Sequence, residues 1–205
     1  MRAIEAELLA GRELYREVVL DKLAHARESV CIATANLKDM QIERGGRFAS
    51  VTALFSELAG RGVELRILHA ELPSRPFRRS FDKRRRLVSG GLDLKICPRV
   101  HFKAVVVDDA WVYLGSANLT GAGLGAKADG RRNFELGFCT EDFDTVDRVK
   151  AMFEAIWSGA ECATCKLRRI CPDPIGKAPQ RSLVRLGHAR RFGHLHLPMM
   201  KTSDA

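Results

Sequence analysis

Residues 101–118 read HFKAVVVDDAWVYLGSAN. Two apolar runs, 104–107 and 111–114, have the composition of β-strands, and a pair of acidic residues separates them as a tight turn would. The stretch therefore predicts an antiparallel β-hairpin with Asp108 and Asp109 at its turn.

Polar side chains gather at the open end of this predicted hairpin. His101 and Lys103 are two positions apart, so a strand carries both side chains on the same face. The returning strand ends in Ser116 and Asn118, just after Gly115, which lets other atoms approach the backbone closely. The hairpin therefore brings the hydroxyl and the amide back beside the imidazole and the ammonium.

An imidazole, an ammonium, a hydroxyl and an amide can together cleave a phosphodiester without a metal. The imidazole is a nucleophile, and the other three groups can donate hydrogen bonds to the non-bridging oxygens, where charge develops in the transition state. The alternative is a strand histidine that only satisfies a hydrogen bond within the core.

The spacing HxK, four residues, Asp, six residues, GSxN resembles the signature of the phospholipase D superfamily. The matching positions are His101, Lys103, Asp108, Gly115, Ser116 and Asn118. The resemblance implies a phosphodiesterase in which His101 attacks phosphorus and forms a phosphohistidine. Lys103, Ser116 and Asn118 would hold the phosphoryl oxygens, and no catalytic metal would be needed.

Two acidic residues complete the predicted catalytic set. Asp108 lies at the hairpin turn, so a structural or partner-orienting role is favoured over direct proton transfer. Glu135 matches the acidic residue that follows the motif in the superfamily, where it is held to orient the nucleophilic histidine. Such a carboxylate would fix the tautomer of the imidazole and stabilise its cation. The alternative for Glu135 is an exposed strand residue.

The rest of the chain alternates between helix and strand patterns. Helices are expected at 12–27, 48–58 and 143–156, and strands at 29–35, 63–68, 92–96 and 133–139. Together with the resemblance, this order predicts an α/β fold, a phospholipase D-like layered mixed sheet flanked by helices, with a small Cys-rich C-terminal extension. We divide the chain into a catalytic domain, 1–159, and a metal-binding extension with a basic tail, 160–205.

The chain is basic, with 34 Lys and Arg against 25 Asp and Glu, a net charge of +9 and a pI near 9.6. This balance favours a polyanionic partner, nucleic acid before an anionic membrane surface, although a basic protein need not have such a partner. No apolar run reaches the roughly 18–20 residues that span a bilayer. The N-terminus lacks the pattern of a secretory signal, so we expect a soluble cytoplasmic protein.

Residues 75–86 combine seven basic side chains with Phe77 and Phe81. Phosphate contacts together with aromatic platforms for unstacked bases would have this composition. The alternative is a solvated helix face whose two phenylalanines point into the core. The candidate nucleic-acid contacts are Arg75, Arg78, Arg79, Lys83, Arg84, Arg85 and Arg86.

Three cysteines cluster near the C-terminus, in the order CxxC followed by a third cysteine six residues on: Cys162, Cys165 and Cys171. In a reducing compartment this spacing favours metal ligands over disulfides. It also resembles the iron–sulfur clasp of RecB-like nucleases, so a 4Fe–4S cluster is expected, with structural zinc as the alternative. Cys97 is the favoured fourth ligand because it precedes His101 by four residues. Cys31 and the tail histidines at 188, 194 and 196 are the other candidates for the fourth ligand.

The chain carries one copy of the motif, whereas protonation of the leaving oxygen needs a second group. In the superfamily that group is the histidine of a second motif copy, so we expect a homodimer with a composite site. A monomer that uses His69 or a tail histidine is the alternative. The favoured function is a nuclease; a lipid phosphodiesterase or phosphatidyltransferase, and a non-catalytic DNA- or RNA-binding module, are the other two possibilities.

Overall fold

The computed structural model describes residues 2–174, which form a central seven-stranded sheet and a separate two-stranded hairpin. The large sheet has the strand order β1-β9-β8-β7-β2-β5-β6, and β3 pairs with β4. The strands are β1 Glu7–Ala10, β2 Ser29–Thr34, β3 Gln41–Arg44, β4 Arg47–Ser50, β5 Glu64–His69, β6 Asp93–Ile96, β7 Lys103–Val107, β8 Trp111–Gly115 and β9 Leu136–Thr140.

The sheet is mixed. Strands β2, β5 and β6 run parallel, while β7 pairs antiparallel with both β2 and β8, and β9 pairs antiparallel with β8 and β1. This topology brings the ends of β2, β5, β6 and β8 to the same edge as the beginnings of β7 and β9. We call it the site edge, because the first residues of the motif lie there.

Helices cover both faces of the sheet. The helices are α1 Arg12–Leu14, continued by a π-helix Tyr15–Lys22 and a 3-10 turn Leu23–His25, then α2 Val51–Gly60, α3 Arg75–Asp82 and α4 Phe143–Trp157. The helical segment at residues 12–25 packs on one face with α2 and α3, around an apolar core that includes Leu14 and Phe55. Helix α4 packs on the other face through Val146 and Phe153.

The predicted α/β fold with a layered mixed sheet is confirmed, and the differences are shifted element boundaries and three strands that the sequence did not predict, β1, β3 and β4. The helix expected from residue 48 begins at Val51, because Ser50 caps it by accepting a hydrogen bond from the N–H of Thr52. Phe48 instead lies in β4 and is 68% exposed. The glycines at 45–46 form the turn of the β3–β4 hairpin with positive φ angles.

Helix α4 is anchored to the sheet by cations. The guanidinium of Arg66 on β5 lies over the rings of Phe153 and Trp157 and forms an ion pair with Glu154. The ammonium of Lys95 on β6 lies 4.3 Å from the Trp157 ring centroid and donates to its carbonyl oxygen at 2.7 Å. These contacts fix the end of α4 beside β6.

Residues 160–174 follow α4 as a series of turns without helix or strand. Asp173 accepts a long hydrogen bond, 3.4 Å, from the N–H of Ile96, so this segment returns to the edge strand β6. The rest of the predicted extension and basic tail, from residue 175 on, lies outside the described residues. Among the residues described, no helix has the length and apolar character needed to cross a membrane.

Candidate active site

The hairpin predicted from residues 101–118 is formed by β7 and β8. Lys103 pairs with Gly115 at its open end and Val107 pairs with Trp111 at its closed end. Asp108 and Asp109 both have a φ of 53°, as the central residues of a type I′ turn require. The open end of the hairpin lies at the site edge.

His101 and Lys103 lie at the beginning of β7. The side chain of His101 is exposed to solvent, and that of Lys103 is half-buried. The Lys103 ammonium donates a hydrogen bond to the carbonyl oxygen of His101 at 2.6 Å. An ammonium has three donors, so two stay available for an anion that binds beside the imidazole.

Ser116 and Glu135 interact where β8 ends and β9 begins. The Ser116 hydroxyl donates to the Glu135 carboxylate and accepts from the N–H of Leu136 at 3.1 Å. The amide of Asn133 donates to the other Glu135 oxygen at 3.0 Å. Among the described residues, Glu135 therefore bonds Ser116 and Asn133 and has no hydrogen bond to His101.

Asn118 joins the hairpin to the end of β2. Its amide oxygen accepts from the N–H groups of Ala35 and Asn36, at 3.0 and 3.1 Å, and lies 3.2 Å from the hydroxyl oxygen of Thr34. Two backbone donors require an acceptor, so the oxygen must face β2 and the amino group must face away from it. Asn118 can therefore offer N–H donors to a phosphate only through that amino group.

Position 115 must be a glycine because the side chain of Tyr113 packs against its backbone. A Cβ atom at Gly115 would lie 2.2 Å from the Tyr113 hydroxyl oxygen, and one at Gly137 on β9 would lie 2.3 Å from the ring. The buried tyrosine thus lies across two paired glycines, and the motif glycine permits this close packing.

The family model described as "Cardiolipin synthase, PLD-like domain" matches residues 19–157. The chain belongs to the phospholipase D-like family. No curated protein sequence matches it.

Solved structures of the phospholipase D-like fold resemble this chain despite low sequence identity. NucT from Helicobacter pylori is 18% identical, with a TM-score of 0.55, over 76% of this chain and 96% of NucT. A phospholipase D family member, Nuc from Salmonella typhimurium, is also 18% identical, with a TM-score of 0.54, over 75% of this chain and 95% of its own. TrmBL2, an archaeal chromatin protein, is 14% identical with a TM-score of 0.50, over 77% and 54%.

Asp108 lies away from the phospholipase D-like site, at the other end of the hairpin. Four residues of strand separate it from the site edge, a length of about 13 Å. Its carboxylate accepts hydrogen bonds of 2.8–3.1 Å from the N–H groups of Arg27, Glu28 and Ser29. Although Asp108 belongs to the predicted catalytic set, the turn separates its carboxylate from the imidazole, and these contacts are structural, the kind of role that the sequence favoured. The side chain instead holds the beginning of β2.

The Asp108→Asn variant should be less stable than the wild type by about 1.5–3 kcal/mol. A hydrogen bond to a charged acceptor contributes about that much to the free energy of unfolding. The matched control is Asp109→Asn: Asp109 has the same φ, and within residues 2–174 its carboxylate forms only a surface ion pair with Lys150. Asparagine tolerates positive φ in both positions. Urea denaturation compares them, and equal losses in the two variants would contradict the anchoring role.

The basic segment 75–86 only partly fits a nucleic-acid surface. Phe77 and Phe81 are buried, 0% and 8% exposed, and stack on each other with ring centroids 6.3 Å apart. The prediction that they are platforms for bases is therefore wrong, because helix α3 turns its aromatic face into the core. Arg84 donates to the Thr52 hydroxyl and Arg86 to the Ser56 carbonyl, while Arg78 is half-buried. The exposed cations are Arg75, Arg79, Lys83, Arg85 and Arg86.

The four predicted metal ligands, Cys97, Cys162, Cys165 and Cys171, line one cavity beside β6. Cys31 is buried in β2, where its sulfur accepts from Arg66 at 3.2 Å. Cys139 lies in β9 at the opposite end of the sheet from Glu135. The tail histidines lie outside the described residues.

His69, the candidate acid for a monomeric site, is only 1% exposed. Its Nδ1 lies 2.8 Å from the carbonyl oxygen of Glu71, and burial lowers the pKa of the imidazole. A buried, neutral imidazole cannot reach a substrate at the surface, so the geometry disfavours this alternative.

The sequence reasoning missed Thr34 as a support of the site. Its hydroxyl contacts the Asn118 oxygen, donates to the Asn36 carbonyl at 2.9 Å and accepts from the N–H of Leu119 at 3.0 Å. A threonine at the end of an otherwise apolar strand was the signal available.

Proposed function

We propose that the protein hydrolyses phosphodiester bonds of nucleic acid through a phosphohistidine at His101. The observation that supports this most is the convergence of His101, Lys103, Ser116 and Asn118 at one edge of the sheet, with the imidazole exposed. A nucleophile with three donors of different geometry suits an anionic, tetrahedral phosphoryl group.

The reaction has two steps. An imidazole nitrogen of His101 attacks phosphorus and forms a nitrogen–phosphorus bond, while the bond to the leaving oxygen breaks and that oxygen takes up a proton. Water then attacks phosphorus, the nitrogen–phosphorus bond breaks, and the proton of the water returns to the group that gave one up. Lys103 and the amino group of Asn118 stabilise charge on the non-bridging oxygens in both steps.

Glu135 holds Ser116 in position for this reaction. Its carboxylate accepts the hydroxyl proton of Ser116, and Asn133 holds its second oxygen. Rotation of the serine hydroxyl from the carboxylate to a phosphoryl oxygen would let Ser116 donate to the substrate. The orientation of an imidazole by Glu135 would then require substrate or a second subunit at the site.

Nucleic acid is favoured over lipid by charge and by an aromatic side chain at the site edge. Arg75, Arg79, Lys83 and Arg85 expose cations on the segment that follows β5, where phosphates of a bound strand could contact them. Phe134, next to Glu135, is fully exposed and could stack on an unpaired base. The fold is shared with TrmBL2, whose description includes DNA binding.

Cleavage should persist in EDTA, because the groups that bind the phosphoryl oxygens are side chains rather than metal ions. Labelled single-stranded DNA, double-stranded DNA, RNA and phosphatidylcholine vesicles are incubated with the protein, with and without the chelator. Cleavage of a nucleic acid but not of phosphatidylcholine is the expected result. Hydrolysis of the lipid alone, binding of nucleic acid without cleavage, or loss of cleavage in EDTA by a folded protein would contradict the proposal.

The proposed active unit is a two-fold homodimer. The leaving oxygen needs a proton, and the buried His69 cannot supply it. A two-fold axis at the site edge would place the His101 of a second copy opposite the first. One imidazole would be the nucleophile and the other the acid, and two Lys103 side chains would surround one phosphate. The exposed Phe134 and Leu136 at the same edge are apolar surface that such a contact would cover.

A mixture of wild-type and His101→Ala chains tests the composite site. If both histidines of a dimer are needed, activity should follow the square of the wild-type fraction, so an equal mixture with free subunit exchange keeps one quarter of the activity. Independent monomers would keep one half. The mass of the protein in solution is measured alongside, and a monomer that is fully active at nanomolar concentration would contradict the dimer.

A further inference from the structure

Four cysteines from two distant parts of the chain meet at one place. Cys97 follows the last residue of β6, and Cys162, Cys165 and Cys171 belong to the turns after α4. All four are free thiols, each is partly buried, and all line the same cavity. At least 65 residues separate Cys97 from the others, so local chain geometry alone does not explain this convergence.

The segment at 160–174 has little else to hold it in place. It contains no helix or strand, and none of its side chains is fully buried. Ile170 in the middle of it is 78% exposed. A short irregular segment that buries so little cannot be ordered by apolar packing, and a bound metal group commonly supplies the missing stability.

The surroundings of the thiols suit a negatively charged metal–thiolate group. Arg99 and Arg168 line the cavity, and Arg168 also donates to the carbonyl oxygen of Cys162 at 2.8 Å. Ile96, Ile156 and Leu167 provide apolar walls. Cations balance the charge of thiolates bound to a metal centre, and apolar walls limit the access of water to it.

A single zinc ion and a four-iron cluster require different spacings of the thiols. Within residues 2–174, no three His, Cys, Asp or Glu side chains are arranged to hold a metal ion. Zinc–sulfur bonds of about 2.3 Å would require the sulfurs to lie within about 4 Å of one another. In a four-iron cluster each thiolate binds a different iron, so the sulfurs lie farther apart around a wider centre.

We propose that Cys97, Cys162, Cys165 and Cys171 bind a 4Fe–4S cluster that fastens the C-terminal segment to the end of β6. The cluster would be a structural clasp close to the site edge, since Cys97 lies four residues before His101. The N–H of Val100 donates to the carbonyl oxygen of Cys97 at 2.9 Å, and Val100 is buried, so a fixed turn connects the clasp to the beginning of β7.

The experiment measures iron, acid-labile sulfide and zinc in wild-type protein purified without oxygen. The expected result is about four irons and four sulfides per chain, with a broad absorption at about 400 nm. Cys97→Ser and Cys171→Ser should each lose most of the iron. Cys139→Ser is the matched control and should keep it, because Cys139 lies at the other end of the sheet.

Several outcomes would overturn the proposal. Protein with about one zinc per chain, or folded protein without metal, would exclude the cluster. Full iron content in Cys97→Ser would exclude Cys97 as a ligand. If a serine variant does not fold, the iron and sulfide content of the wild type still decides between cluster and zinc. Because these readouts are independent of catalysis, they hold whether or not the protein cleaves nucleic acid.

Discussion

Replacing His101 with alanine should lower the rate of phosphodiester cleavage by at least about 10⁴-fold, while the melting temperature stays within about 2 °C of that of the wild type. The imidazole forms the covalent bond to phosphorus, so its removal leaves only the donors around the phosphoryl group. Because the side chain is exposed and makes no hydrogen bond among the described residues, its loss should cost little stability.

The control for this variant is His25→Ala. His25 is also exposed, but it lies just before β2, at the opposite edge of the sheet from His101. Its Nδ1 contacts the carbonyl oxygen of Asp21 at 2.7 Å. Cleavage by His25→Ala at the wild-type rate, together with an inactive His101→Ala protein, is the expected pair of results. A His101→Ala protein with wild-type activity would exclude the phosphohistidine mechanism.

The hairpin and its polar end were predictable from sequence because both depend on local rules. A strand alternates its faces every residue, and a turn of two acidic residues at positive φ fixes the register. The pairing of Lys103 with Gly115 follows from this register. The family resemblance added the chemistry, and the match of the family model to residues 19–157 confirms the family.

The hydrogen-bond partners of the site residues could not be predicted in the same way. Asp108 bonds N–H groups about 80 residues away in the sequence, and Asn118 bonds the end of β2 at a similar separation. These contacts depend on which strands become neighbours in the sheet. Glu135 shows the same limit, because its position at the site edge was anticipated but its bond to Ser116 was not.

The basic segment 75–86 shows how composition can mislead. Its aromatic and basic residues have the composition of a nucleic-acid surface, yet the two phenylalanines are four positions apart on a helix. That spacing places both on one face, and packing against the core decides which way that face points. The cations are therefore the part of the segment that can contact phosphates.

The position of the cysteine cavity follows from lengths along the chain. If β9 carries the chain away from the site edge, a helix of 15 residues spans about 22 Å and brings it back. The structure has this path, and the cysteines after α4 meet Cys97 beside β6. The spacing of the thiols in the sequence suits zinc as well as an iron–sulfur cluster, so the 4Fe–4S cluster is a proposal.

Loss of the proposed cluster should lower both stability and catalysis. We expect the melting temperature of Cys171→Ser to fall by about 10 °C. The variant loses a metal cluster that contributes at least about 3 kcal/mol to the free energy of unfolding of a domain of this size. Cys171 lies 70 residues beyond His101 in the sequence. Cleavage should fall about tenfold or more at 25 °C, since the turn from Cys97 to Val100 would lose its anchor and His101 would be held less precisely.

Comparison with Cys139→Ser separates this effect from the loss of any thiol. That variant should keep iron and wild-type cleavage, and it should melt within a few degrees of the wild type. Circular dichroism at 25 °C should show that the sheet of Cys171→Ser is intact, because the cysteine segment lies outside the core of residues 2–157. A Cys171→Ser protein without iron that melts and cleaves like the wild type would show that the cluster does not brace the site. A loss of activity with an intact sheet would instead show that the cluster helps to position His101.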